Sequence, residues 1–291
     1  MHDETTSPST ETALVTGAAG GVGRAVVERF RADGWRVYAT DVAAALDETD
    51  PWVDDDDVVT AELDVTDAAD RERVRDRIAA ETGRLDCLAN VAGYALPGAV
   101  LDTDETAVRE LYDVLVHGPT ALARTAFDLL RAADGNVVTV TSSLARTVFP
   151  GTGHYAAAKA AAATTTDALR AECRGTGVAA TTVEPAWVDT PFDERGLERL
   201  PPSADRHAAF AETYRRLERG RLLDGGLAAV SPERVARVVV HAATVARPRA
   251  SYPVGWPAWG LRLVGHLPTP LVDAVRDTVA DAVTRVREWR A

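Results

Sequence analysis

Hydrophobic residues along this chain alternate between two spacings. Short, nearly unbroken apolar runs occur at Ala13 to Val15, Trp35 to Thr40, Val58 to Leu63, Leu85 to Ala89, Gly135 to Thr141, Val178 to Val183 and Ala250 to Val254. Such runs read as strands buried on both faces. Between them, apolar residues recur at helical spacing: Val26, Val27 and Phe30 before Gly34, then Val74 and Ile78 in a segment that Thr66 can cap and Gly83 can stop. Further helical patterns occupy 104–117, 119–133 and the segment through Tyr155 and Lys159, and Ser231-Pro232-Glu233 opens another with a hydroxyl cap and a proline in its first turn. Residues 43–57 show no convincing helix and read as an acidic connection. Strand alternating with helix predicts an α/β fold, a doubly wound, mainly parallel seven-stranded sheet with helices on both faces. The expected organisation is a polar tail over 1–11, a single domain over 12–254 and a helical extension over 255–291. In that extension Val272, Val275, Val279, Val283 and Val286 stand opposite Asp273, Asp277, Asp281 and Arg285. That face reads as buried against its own domain or a sister subunit.

Ligands of such sheets lie at the carboxyl ends of the strands. The first strand runs into Thr16-Gly17-Ala18-Ala19-Gly20-Gly21-Val22-Gly23 and then a helix, which is the order a pyrophosphate site needs. Glycines let the backbone approach the phosphates, and the helix N-terminus supplies free N–H groups and a positive dipole end. The second strand ends at Asp41, eighteen residues past Gly23. A carboxylate there accepts hydrogen bonds from both hydroxyls of an adenosine ribose and repels a 2′-phosphate, which favours NAD over NADP. Asp64 and Val65 are placed to flank an adenine ring. The small residues of Asn90-Val91-Ala92-Gly93 let the backbone pass beneath a ribose, and Pro185 begins a loop after the sixth strand.

The stretch from Ser142 to Lys159 carries the chemistry. Tyr155 follows Ser142 by thirteen residues and Lys159 follows by four more, so on a helix the last two stand one above the other. An ammonium beside a phenol favours the phenolate, bringing a tyrosine from its usual pKa of about 10 toward working pH. Such a tyrosine can serve as a general acid or base. Ser142, at the end of an apolar run, supplies a hydroxyl to orient a substrate oxygen. Lys159 is the only lysine in a chain that otherwise uses arginine for positive charge. Arginine is a planar fork that never deprotonates, whereas lysine is a compact point charge on a flexible stem.

Composition narrows the setting. The 291 residues carry a formal net charge of −12, with Asp54 to Asp57 in an unbroken run. That balance disfavours nucleic acid or an anionic membrane as partner. With lysine nearly absent, it suits a salt-adapted surface whose repulsion is screened by salt. Cys87 and Cys173 lack metal-ligand spacing, so neither a disulfide framework nor a metal site is expected. The N-terminus has no apolar core of the kind a signal peptide needs. Residues 254–272 are apolar, but Pro257, Pro268 and Pro270 interrupt them, so no membrane span is expected and the default location is cytoplasmic.

With these residues in view, the chain resembles the short-chain dehydrogenase/reductase family over about residues 12–250. It does so through T-G-x-x-x-G-x-G at Thr16 to Gly23, N-x-A-G at Asn90 to Gly93, the Ser142, Tyr155, Lys159 triad, and a P-G-x-V-x-T-like loop at Pro185 to Thr190. The resemblance implies a Rossmann-type fold and NAD-dependent hydride transfer between a secondary alcohol and a carbonyl. Tyr155 would exchange the proton, Ser142 would orient the oxygen and Lys159 would bind the nicotinamide ribose. Val188 and Thr190 would fix the carboxamide. A homodimer or homotetramer is likewise implied.

Three departures accompany the likeness. Leu115 stands where members carry an asparagine that anchors a relay water, Ala186 replaces the glycine after Pro185, and the C-terminal glycine-rich ending is absent. Tyr94, Leu96, His154, Trp187 and Phe192 are the candidates for the substrate side, with 193–228 as a lid. An apolar or aromatic alcohol or ketone is the expected substrate. A dehydratase or epimerase using NAD, and a dinucleotide-sensing protein without turnover, remain open as alternatives.

Overall fold

The computed structural model describes residues 10–46, 52, 55–190, 196–218, 229–265 and 267–273. Seven strands form one parallel sheet: β1 (Thr12–Thr16), β2 (Arg36–Asp41), β3 (Val58–Glu62), β4 (Cys87–Asn90), β5 (Asn136–Val140), β6 (Ala179–Pro185) and β7 (Ser251–Val254). Their spatial order is 3-2-1-4-5-6-7, with the order reversing beside β1. The alternation anticipated from sequence is therefore realised as a Rossmann-type doubly wound sheet.

Both faces are covered, which is why the strands read as unbroken apolar runs. Within β1, Ala13 and Val15 join one buried cluster while Leu14 joins the other. On the first face, α1 (Gly21–Ala32) packs Val26, Val27 and Phe30 beside Val235 and Val239 of α8 (Pro232–Thr244). On the second, α2 (Ala68–Glu81) supplies Val74 and Ile78, while α4 (Gly118–Thr125) and α5 (Phe127–Ala133) supply Leu122, Leu129 and Leu130. The other helices are α3 (Glu105–Tyr112), α6 (Gly153–Glu172), α7 (Ala211–Glu218) and α9 (Trp256–Val264).

Two expectations are corrected, and a third gains detail. The cap of α2 is Asp67, whose carboxylate accepts from the Asp70 N–H at 2.9 Å. Thr66 is instead turned back, its N–H and hydroxyl both donating to Asp64 Oδ1 at 2.8 and 2.7 Å. The helical pattern over 104–133 does not divide at Gly118. A π-helical turn over Asp113–His117 carries α3 straight into α4, and the break comes at Ala126. Gly118 is itself helical, and a Cβ there would stand 2.8 Å from Val65 Cγ2, so this glycine permits close packing and does not end a helix. The acidic connection is anchored as well. It contains a short 3-10 turn at Ala43–Ala45, and Trp52 is 2 % exposed, joining the cluster of Phe30 and Trp35 with the Arg24 guanidinium 5.5 Å from its ring centroid. The valines after position 273, Phe192 and parts of the expected lid lie outside the described residues.

Trp52 generates a stability prediction. Trp52→Ala should cost about 3–5 kcal/mol, the usual loss for an aromatic core truncation, read as a fall in urea midpoint at constant slope. A loss comparable to that of an exposed residue would show that this connection does not close the core.

Candidate active site

The carboxyl edge of the sheet holds a cavity of about 640 Å³. Its floor begins at the glycine loop. Gly17 has φ +70, and a Cβ on it would lie 2.7 Å from Ala92 Cα, so backbone must pass against backbone here. A Cβ on Gly23 would fall 1.9 Å from the Gly17 carbonyl oxygen, which would stop α1 from starting where it does. Thr16 locks the two loops together, its hydroxyl accepting from the N–H groups of Val91 and Ala92 at 3.1 Å each. Gly21 faces Thr190, whose Cγ2 would stand 2.6 Å from a Cβ at that glycine, so the loop after β6 closes over the start of α1.

Gly17, Gly21, Val22, Gly23, Asp41, Asp64, Val65, Ala92, Gly93, Pro185, Val188 and Thr190 all line this cavity, as do Ser142, Tyr155 and Lys159. Asn90 does not. It lies beneath the floor at the end of β4, 4 % exposed, with its Oδ1 buried and unpartnered. The Asp41 carboxylate accepts from the Ala19 N–H at 3.0 Å and from the Val42 N–H at 2.9 Å, which braces the glycine loop from the end of β2. Glycines pressed under the floor, a helix N-terminus behind them and a carboxylate at the far end suit a dinucleotide.

Lys159 organises the other end. It is 6 % exposed, its Nζ donates to the Val140 carbonyl at 2.9 Å, and it stands 5.8 Å from the Tyr155 ring centroid. Burial pulls the Lys159 ammonium down from its usual range to about 8. Ser142 is 8 % exposed and begins a short 3-10 turn over Ser143–Ala145, its hydroxyl accepting from the Leu144 N–H at 3.1 Å. Leu115 sits in the π turn, 2 % exposed, within an apolar group of Leu96, Leu111 and Ala158 against which Tyr155 packs. A Cβ on Gly93 would meet its Cδ2 at 2.6 Å, so leucine fills the space beside the lysine.

On the substrate side, Tyr94, Leu96 and Trp187 line the cavity, and Trp187 packs against Phe149 with ring centroids 6.4 Å apart. His154 is not among the lining residues. It sits next to Tyr155 on the helix, but its Nε2 lies 3.2 Å from the Val100 carbonyl oxygen. Sequence spacing missed Glu110 and Asp113, which line the cavity around Tyr94 together with Arg199 of the expected lid segment. The Arg199 guanidinium stacks 4.2 Å from the Tyr94 ring centroid. Burial pushes the Tyr94 phenol upward; Arg199 opposes that, while Glu110 and Asp113 add to it. The three-residue spacing of Glu110 and Asp113 on one helix was a legible signal, but nothing local said which way that face points.

The short chain dehydrogenase family model matches residues 11–199. Retinol dehydrogenase 5 of Mus musculus is 30 % identical over 295 residues, covering 94 % of this chain and 91 % of that protein. A short-chain dehydrogenase from Streptomyces avermitilis superposes with a TM-score of 0.76 at 29 % identity, covering 97 % of this chain and 99 % of the other. A short chain dehydrogenase/reductase from Burkholderia phymatum, solved in complex with NAD, gives a TM-score of 0.72 at 25 % identity and covers 87 % of this chain and 92 % of the other. Other structures of the same fold were solved with NADP or 5-hydroxy-NADP.

The buried ammonium generates a pH prediction. Because the folded pKa of Lys159 lies below its unfolded value of 10.5, the unfolded chain holds more protons between pH 8 and 10.5, and stability rises with pH through that window. A lowering of this size corresponds to roughly 3 kcal/mol of cost below pH 8. Without cofactor, Lys159→Met should therefore be more stable than wild type near pH 7, with the gap closing toward pH 10.5. Denaturation series at several pH values measure it, and a gap independent of pH would mean that the ammonium is not desolvated.

Proposed function

The chain belongs to the short-chain dehydrogenase family, and from that premise we propose that it is an NAD(H)-dependent oxidoreductase interconverting an apolar or aromatic secondary alcohol and its carbonyl. The observation that carries this reading is the convergence of Ser142, Tyr155 and Lys159 with the glycine loop and Asp41 on one cavity. Bound nicotinamide supplies the hydride acceptor or donor at its C4. Tyr155 would take the hydroxyl proton on oxidation and return it on reduction, with the carbinol hydrogen and its electron pair going to the nicotinamide. Lys159 keeps its ammonium near that phenol and favours the anionic oxygen. Its position beside Gly93 suits a ribose hydroxyl. Ser142 offers a hydroxyl to the substrate oxygen, which strengthens as negative charge develops there.

Asp41 supports NAD over NADP, since a 2′-phosphate would meet a carboxylate already committed to the loop. Tyr94, Leu96 and Trp187 give the substrate end an apolar wall. The retinol dehydrogenase likeness agrees with a lipophilic alcohol. The segment over 193–228 is the lid in this reading, and a homo-oligomer in the cytoplasm is the proposed state. Among the described residues, no helix is long and apolar enough to cross a membrane.

Two measurements test the reading. Calorimetric titration in high salt should show NADH binding more tightly than NADPH, and Asp41→Ala should narrow that preference; an unchanged ratio would remove Asp41 from the ribose. A panel including cyclohexanol, 1-phenylethanol and all-trans-retinol, followed at the NADH absorbance, should reveal turnover. Tyr155→Phe should keep NADH binding and lose turnover by about 10²-fold or more. NADH binding without turnover on any alcohol would favour the dinucleotide sensor, a reading Leu115 permits by leaving the relay position apolar.

A further inference from the structure

Glu184 is the penultimate residue of β6, directly before Pro185, and is 1 % exposed. A carboxylate in that position requires compensating charge, because an unpaired buried ion is strongly destabilising. Two guanidinium groups provide it from separate elements. Arg146, which ends the turn that Ser142 begins, places Nη2 2.7 Å from Glu184 Oε1. Arg262 of α9 places Nη1 3.7 Å from Oε2 and also donates to the Ser251 hydroxyl of β7. Thr182 Oγ1 donates to Oε1 at 3.4 Å. The same helix backs the same turn in two further ways. Leu261 shares an apolar cluster with Leu144 and Trp187, and a Cβ on Gly265 would lie 2.8 Å from the Arg146 carbonyl oxygen.

None of Glu184, Arg146 and Arg262 lines the cavity, but their immediate neighbours do: Pro185 beside Glu184, and Ser142 to Leu144 ahead of Arg146. We propose that Glu184 is a positioning residue, holding the Ser142 turn and the Pro185 loop in register and tying both to α9. α9 thereby sets the direction of the Ser142 hydroxyl toward the substrate oxygen. This rests on the dehydrogenase reading for its kinetic consequence, though not for its structural one.

Hydrogen exchange on the full chain provides the test. The N–H of Leu144 donates to Ser142 Oγ, that of Ala145 to the Ser142 carbonyl and that of Arg146 to the Ser143 carbonyl. Arg262→Met should accelerate exchange at these amides about tenfold (~1.4 kcal/mol), with β1 and α1 unchanged. Arg146→Met should do the same, the double variant, which leaves the buried Glu184 carboxylate without a guanidinium, should exceed either single change, and Arg262→Lys should restore part of the protection. Both arginines reach solvent, so these variants are tolerable even where Glu184→Gln fails to fold. In oxidation of cyclohexanol or all-trans-retinol, whichever wild type turns over, kcat should fall about tenfold in Arg262→Met with NADH affinity unchanged. Exchange at 144–146 unaltered in Arg262→Met, with the sheet intact, overturns the proposal. Absence of NADH binding in wild type would instead defeat the functional reading, while the exchange comparison still judges the arginine and glutamate contacts.

Discussion

An ammonium group held in the protein interior is the constraint on which the site depends. Lys159 is buried with its Nζ bonded to a strand carbonyl, and burial alone accounts for its lowered pKa. Desolvation of this kind works against folding, so the surrounding elements must be fixed firmly enough to hold the group there. They are: Val140 ends a central strand, Gly93 passes close by without a side chain, and Leu115 fills the remaining space from a π-helical turn. The result is a cation held 5.8 Å from the Tyr155 ring centroid at the cavity wall. Arginine, planar and longer, does not fit the same contacts.

Packing at the sheet edge follows the same logic of close approach. Parallel strands place their carboxyl ends on one side, and the reversal of strand order beside β1 opens a crevice there. The glycine loop, the Asn90 to Gly93 run and the Pro185 to Thr190 loop then press against one another across distances that a Cβ would violate. Asp41 and Thr16 connect them by hydrogen bonds to backbone N–H groups. The shape of this edge thus depends on backbone geometry as much as on side chains.

Charge is used differently inside and outside. Surface arginines pair with carboxylates along helices, as Arg77 does with Glu81 and Arg216 with Glu212, and such exposed pairs contribute little individually. Glu184 is another case, since it is buried where three elements meet and its partners come from positions 38 residues before and 78 after. An ion pair of that sort specifies an arrangement more than it adds stability.

The sequence by itself determined the sheet and much of its edge. Runs buried on both faces demand a parallel sheet with helices on either side. The spacings of Thr16 to Gly23, of Asp41, and of Ser142, Tyr155 and Lys159 are local quantities that survive folding unchanged. What tertiary structure decided were matters of direction and partnership. His154 neighbours Tyr155 in sequence yet turns to the Val100 carbonyl, because adjacent residues on a helix point to different sides. Asp67, directly ahead of Ala68, caps the helix, while the Thr66 hydroxyl is turned back onto Asp64. Trp52 was hidden in an acidic stretch that carries neither helical nor strand periodicity, and only the packing of Phe30, Trp35 and Arg24 gave it a place. Glu184, Arg146 and Arg262 are ordinary charges until the fold brings them together, since no local spacing encodes a contact between residues so far apart along the chain.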